Sequence, residues 1–319
     1  MKKIILTLVC LLGMSVTANA ASKSDIVLQH GSNITVFNAE DFPAAMETAV
    51  DGDVIFLGEG SYPGFGITKK ITIQGVGQAS VITGNVEINI PNEPVLTAPL
   101  LQFLKISGEV NVNQETTGLG IKQCAINGIV FYQKTHDAYI DRCIVTHEFM
   151  IDKTYSETIT INGEGGTFTY PYVKELTVTN SLVYNVVGTY YLTNVTFVNC
   201  YIRHHDVFYG NTFGTVINSI LANGTHLNNT KLINSYIYGF TLASGSTATN
   251  CYNGDKTLDY DSEEIVTNNY LGNDGTIVGP LGGTTPYTLV PDVPQVTVSN
   301  FKVDHQKQEL NVTLTATPE

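Results

Sequence analysis

The sequence predicts an all-β chain: a single-stranded right-handed parallel β-helix with a short N-terminal capping helix and irregular closing strands at the C-terminus. A short phrase recurs along the middle of the chain as KQCAI, DRCIV, TNSLV, VNCYI, INSIL, INSYI and TNCYN. Its central Cys or Ser falls at Cys124, Cys143, Ser181, Cys200, Ser219, Ser235 and Cys251, in steps of 19, 38, 19, 19, 16 and 16 residues. The residue two places after each marker is Ile, Val or Leu in every copy but the last. Paired-helix repeats need more than about 30 residues and hairpin meanders fewer, so a unit of this size fits one coil of a solenoid. Equivalent strands then stack about 4.8 Å apart and like residues lie on like. The alternative built from many short strands is a β-sandwich.

Lys2 and Lys3, the apolar run 4–16 and Ala18-Asn19-Ala20 read as a secretory leader over residues 1–20. The run is shorter than the ~20 residues that span a bilayer. Without that leader, 14 basic side chains face 29 acidic ones. Such a balance opposes nucleic acid and anionic membranes as partners, which need a positive footprint. The expectation is an exported monomer, periplasmic, cell-surface or extracellular, with no transmembrane segment in the mature chain and polysaccharide as its partner. There is no tryptophan but there are 17 tyrosines, so any sugar-stacking platform is tyrosine or phenylalanine.

At the N-terminus, Phe42, Ala45, Met46 and Ala49 fall at helical spacing and Pro43 suits a first helical turn. A solenoid exposes an apolar cross-section at its end, which this helix would cover. Regularity loosens around PNEPVLTAP. ITINGEGGTFTYP reads as a hairpin in the region of the doubled 38-residue step, which is either two coils or one coil with a loop. QVTVSNFKV and QELNVTLTA read as two closing strands. The domain reading is therefore a leader at 1–20, a capped solenoid at 21–283 and a closing segment at 284–319. The recurring Asn before each marker suits a turn and could bond up and down its own column. Stacked cysteines on neighbouring coils point the same way, which favours free thiols.

The stretch AMETAVDGDVIFLGEGSYPGFGITKKITIQGVG resembles the opening coil of the pectin-lyase-like superfamily of right-handed parallel β-helix proteins. The ending GPLGGTTPYTLVPDVPQVT with ELNVTLTA is similar to the tail of secreted β-helix proteins of Bacteroidetes, distantly chondroitinase-B-like. That superfamily includes polysaccharide lyases, pectin-cleaving hydrolases and non-enzymatic carbohydrate-binding proteins. None of the hydrolases' Asn-Thr-Asp, Asp-Asp, Gly-His-Gly and Arg-Ile-Lys signatures occurs here. The resemblance implies a fold and leaves open whether the chain is an enzyme.

Two groups of residues are candidates for a site. The fourth residue after the marker forms a column, His147, Asn185, His204 and Asn223, a polar stripe suited to tracking a polymer, although any turn must be polar. Arg203 and Asp206 flank it in YIRHHDVFYG. If that strand runs straight on, alternation sends the two histidines to opposite faces and denies them a shared metal ion. The second group gathers on the coils of Cys124 and Cys143. For a calcium-assisted lyase acting on a uronate glycan by β-elimination, Lys134, Arg142 and Lys153 would be the catalytic cations and Asp137, Asp141 and Glu148 the calcium ligands. The bland reading is a solvated, charge-compensated face. The leading expectation is non-catalytic carbohydrate binding without a cofactor, and the lyase with calcium is the alternative.

Overall fold

The computed structural model describes residues 26–90, 100–133, 135–151, 156–161, 164–169, 173–187, 192–205, 213–222, 226–227, 229–239, 241–242, 245–288, 295–304 and 309–317. It is a parallel β-solenoid whose coils contribute strands to a 15-stranded and a 12-stranded sheet, called here the first and second sheets. In the first sheet the buried inward column runs Ile55, Ile73, Leu101, Ile121, Ile140, Val178, Phe197, Val216 and Leu232. In the second it runs Ile82, Ile106, Ile126, Val145, Val183, Ile202, Leu221 and Ile237. These are the residues expected two places after the markers, and each fully buried one contributes about 2 kcal/mol of gross hydrophobic stabilisation.

The markers lie at the corner between the two sheets. Ser181, Ser219 and Ser235 each donate their hydroxyl to the carbonyl two residues earlier, at 2.7, 2.8 and 2.9 Å. The same hydroxyls accept the backbone N–H of the preceding coil's marker, Cys143, Cys200 and Ser219, at 3.0–3.1 Å. Cys124, Cys143 and Cys200 place their thiols on the equivalent carbonyl at 3.3 Å. A small side chain with one hydrogen to donate satisfies this corner, which is why Ser and Cys interchange there. All four described cysteines are free. Burial pushes the Cys200 thiol up to about 12 and raises Cys143 well above its ordinary value, so neither is a reactive thiolate.

The residue before each marker adopts the left-handed backbone conformation: Phe103, Gln123, Arg142, Asn180, Asn199, Asn218, Asn234 and Asn250 have φ of 46–57°. Asparagine tolerates this region better than most residues, because its short amide can bond locally. The side chains do not, however, stack on one another as the column suggested. Asn180 Nδ2 donates to Gly282 O at 2.9 Å, and Asn218 Nδ2 donates to Asn273 Oδ1 at 2.9 Å while its Oδ1 accepts from Asn273 N at 3.0 Å.

Their partner is an arm. The last coil ends with the strand Tyr252–Gly254, after which residues 255–288 run back along the corner to the coil of Cys124, where Gln123 Nε2 donates to Thr288 O at 3.5 Å. Close approach requires glycine at two places. A Cβ on Gly272 would lie 2.5 Å from Asn218 Cγ, and one on Gly283, whose φ is +79°, would lie 2.2 Å from Asn199 Nδ2.

The other end is closed differently. Strands β1 (Ile26–His30) and β2 (Asn33–Phe37) form a hairpin, and β1 also pairs antiparallel with β3 (Val54–Leu57), so two antiparallel strands extend the first sheet. Helix α1 (Phe42–Thr48) buries Phe42 and Ala45, with the Phe42 ring edge-on to Tyr62 and Phe65 at 5.6 and 5.0 Å. Lys69 Nζ donates to the carbonyls of Met46, Glu47 and Ala49 at 3.2, 2.7 and 2.6 Å, placing a cation on the helix C-terminus.

The doubled step is one coil carrying a loop. Asp141 pairs directly with Thr179, and the extra residues include the hairpin of Ser156–Ile161 with Glu164–Thr169. Its turn falls at 162–163, earlier than the Gly-rich centre suggested. PNEPVLTAP lies largely outside the described residues, between regular strands. The closing strands Gln295–Asp304 and Glu309–Thr317 pair antiparallel. Among the described residues no helix is long and apolar enough to cross a membrane.

Replacing Gly283 by Ala should therefore strain the arm on both backbone and contact grounds, costing about 1–3 kcal/mol in urea unfolding. Gly275 has a similar φ of +78° with nothing within 4 Å of its hypothetical Cβ, so Gly275→Ala should cost only about 1 kcal/mol. Equal losses would show that the arm–corner contact is not what glycine protects.

Candidate functional site

The arm divides the outside of the second sheet into a covered part and a rim. Directly after the markers, the outward column runs Ile144, Leu182, Tyr201, Ile220, Tyr236 and Tyr252. Leu182, Tyr201, Ile220 and Tyr236 are buried, packed in one cluster with Leu258, Ile265 and Val278 of the arm. Helix α2 (Glu263–Thr267) starts at the Ser262 cap, whose hydroxyl accepts from Glu264 N at 3.4 Å, and it supplies Ile265. Tyrosine suits this face because its ring is buried while its hydroxyl finds a carbonyl or carboxylate. Tyr236 donates to Lys256 O at 2.8 Å, Tyr252 to Leu271 O at 3.1 Å and Tyr201 to Asp259 Oδ1 at 3.3 Å.

One residue pair along the rung, the rim begins. Arg203 is exposed, and its Cζ sits 5.4 Å from the ring centroid of half-buried Tyr184. Tyr184 packs edge-on to Tyr201, which packs on Tyr260, which meets Tyr287, at centroid distances of 6.4, 5.9 and 6.4 Å. A cation over an aromatic face, followed by further half-buried rings, lines the edge of the arm.

The strand Tyr201–His205 runs through both histidines, and its register sets His204 beside Asn185 on the neighbouring coil, as the counting expected. At its first member the column is corrected. A register shift between Val145 and Phe149 puts Glu148, rather than the exposed His147, level with Asn185, because the strand Ile144–Ile151 carries an extra residue there. The side chains of Asn185, His204 and Glu148, and the whole of Asp206 and Asn223, lie outside the described residues.

The second group is dispersed. Lys134 and Lys153 lie outside the described residues. Arg142 is a corner residue, 6% exposed, whose Nε donates to Asp141 Oδ2 at 3.0 Å. The other oxygen of Asp141 accepts from Thr179 Oγ1 at 2.7 Å. Asp137, at φ 52°, precedes the strand Tyr139–Asp141 that Asp141 ends, whereas Glu148 belongs to the other sheet. These positions do not assemble one calcium site, and among the described residues no group of three or more His, Cys, Asp or Glu could hold a metal ion.

Sequence reasoning missed the arm's contribution, Tyr184, Tyr260 and Tyr287. The signal was the apolar or tyrosine residue directly after the later markers, an outward position that is Lys105 and Ala125 on earlier coils.

Burial raises the buried tyrosines. Tyr236 is pushed up to about 12, chiefly by burial and then by Tyr270, and Tyr201 is raised by burial and then by Asp259. Folded-state values above the ordinary one mean that stability is complete below about pH 10 and is lost as pH rises towards 12. Urea unfolding across that window should show this fall, and Tyr236→Phe should flatten part of it; an unchanged slope would place the titration elsewhere. No family model, curated protein or solved structure matches the chain, so its parallel solenoid is established from its own coordinates.

Proposed function

We propose that the protein is a non-catalytic glycan-binding solenoid that holds an acidic sugar chain along the rim of the arm. The supporting observation is the exposed Arg203 guanidinium held over Tyr184, in a chain whose only other arginine, Arg142, is buried. A guanidinium presents a planar fork to a carboxylate or sulfate, and an aromatic ring offers its face to the C–H side of a sugar. In this reading His147, Asn185, His204, Asp206 and Asn223 supply hydrogen bonds on the same side, and the leader-like residues 1–20 send the chain out of the cytoplasm. Pairing of Arg142 with Asp141 favours binding over proton abstraction, since a buried, neutralised guanidinium is a poor base. Calcium would serve only to offset repulsion between an acidic glycan and an acidic protein.

The test is affinity electrophoresis in polygalacturonate, alginate and chondroitin sulfate gels, with and without calcium. At least one should retard the protein. Arg203→Ala and Tyr184→Ala should each weaken binding by about 1–2 kcal/mol, roughly five- to thirty-fold in Kd. Release of unsaturated sugar ends, lost on replacing Lys134 or Lys153, would replace this reading by the lyase. Retardation by none of the three would overturn it.

A further inference from the structure

The outside of the first sheet carries a separate set of aligned groups. Four residues before each marker, the outward column runs Gly120, Tyr139, Thr177, Thr196, Thr215 and Lys231, each paired in register with the next. Tyr139 is 41% exposed, unusual for so large a ring on a sheet of small polar residues. Its orientation follows from Gly120. A Cβ there would fall 2.4 Å from Tyr139 Oη and 2.5 Å from its Cζ, so the ring lies over the neighbouring coil in the space that a side chain would fill. A tyrosine laid along the sheet offers one face to solvent.

Beyond it, the threonines repeat at the coil spacing of about 4.8 Å and lead to a cleft of about 310 Å³. Thr196, Thr215, Lys231 and Thr247 line the cleft, together with the backbone of Gly214 and Gly245. Gly245 is held at φ +81°, and a Cβ there would meet Asn229 Oδ1 at 2.1 Å, so the wall has no room for a larger residue. From Tyr139 to Lys231 is four rungs, about 19 Å.

We propose that this face is a second glycan-binding surface, specific for a neutral polysaccharide strand laid along the stacking direction. One sugar ring stacks on Tyr139, following units meet the threonines, and a ring or branch enters the cleft. Hydroxyls both donate and accept, so a threonine column matches the hydroxyls of an uncharged sugar. Four of these positions between Gly120 and Lys231 carry no charge, and the whole chain has a formal charge of −13, which disfavours an anionic polymer here. The surface is on the opposite sheet from Arg203 and stands or falls separately from the rim.

Affinity electrophoresis with barley β-glucan, xyloglucan and galactomannan is the test, followed by titration calorimetry of any polymer that retards the protein. At least one should retard the wild-type chain. Tyr139→Ala should weaken that binding at least tenfold, and Thr196→Val, which removes a hydroxyl while keeping the side-chain shape, should weaken it several-fold. Arg203→Ala should leave it unchanged, whereas only Arg203→Ala should affect the acidic polymers. Circular dichroism and thermal unfolding of each variant would separate lost binding from lost fold. The proposal is overturned if no neutral polymer retards the protein, if a folded Tyr139→Ala binds as wild type, or if Arg203→Ala abolishes neutral binding too.

Discussion

At the corner between the two sheets, each coil places one residue at φ near +50° and hands its backbone N–H to the carbonyl of the coil above. Asn180 N bonds Val198 O, Asn199 N bonds Ile217 O, Asn218 N bonds Ile233 O and Asn234 N bonds Thr249 O, all at 3.0 Å. Without that left-handed step the chain could not turn from the first sheet into the second while keeping both ladders in register. Repetition is then forced: a turn of fixed shape needs the same small marker after it and an inward aliphatic residue two places further on. Coil length remains free elsewhere, which is why steps of 16, 19 and 38 residues coexist on one corner.

Such a corner leaves side-chain amides in a row with nothing to bond once buried. Leaving a buried polar group unmade costs about 1–3 kcal/mol. The arm resolves most of this, bringing carbonyls of Pro280 and Gly282 to Asn180 and the Asn273 amide to Asn218. Sealing the corner also dictates where ligands can go. Tyrosines of the second sheet become core, Arg203 and Tyr184 become a rim, and the first sheet keeps its flat outer face.

Much of this was written in the numbering. The markers, the inward columns and the hairpin followed from periodicity, because a stacked coil repeats its chemistry at its own length. The arm was not legible, since Leu258, Ile265 and Val278 each meet a different coil and so share no period. Its glycines resemble loop residues until Asn199 and Asn218 are seen beneath them. The antiparallel pair β1 and β2 was missed because a terminal extension repeats nothing. For the candidate sites, counting four residues past the marker assumed equal strands and failed at His147, where a bulge inserts a residue. Counting four residues before the marker crosses no bulge on the coils from Cys124 to Ser219, and there the Gly120, Tyr139 and threonine column lines up.

Native-state hydrogen exchange of the corner amides tests this account most directly. The backbone N–H groups of Asn180, Asn199, Asn218 and Asn234 should exchange only with opening free energies approaching that of global unfolding. Gly279 of the arm, whose N–H bonds Asn218 O at 2.7 Å, should be protected to a similar degree despite its loop-like sequence. Exchange of these amides at the rate of exposed loops, while the inward strand residues stay protected, would contradict the corner as the element on which the solenoid depends.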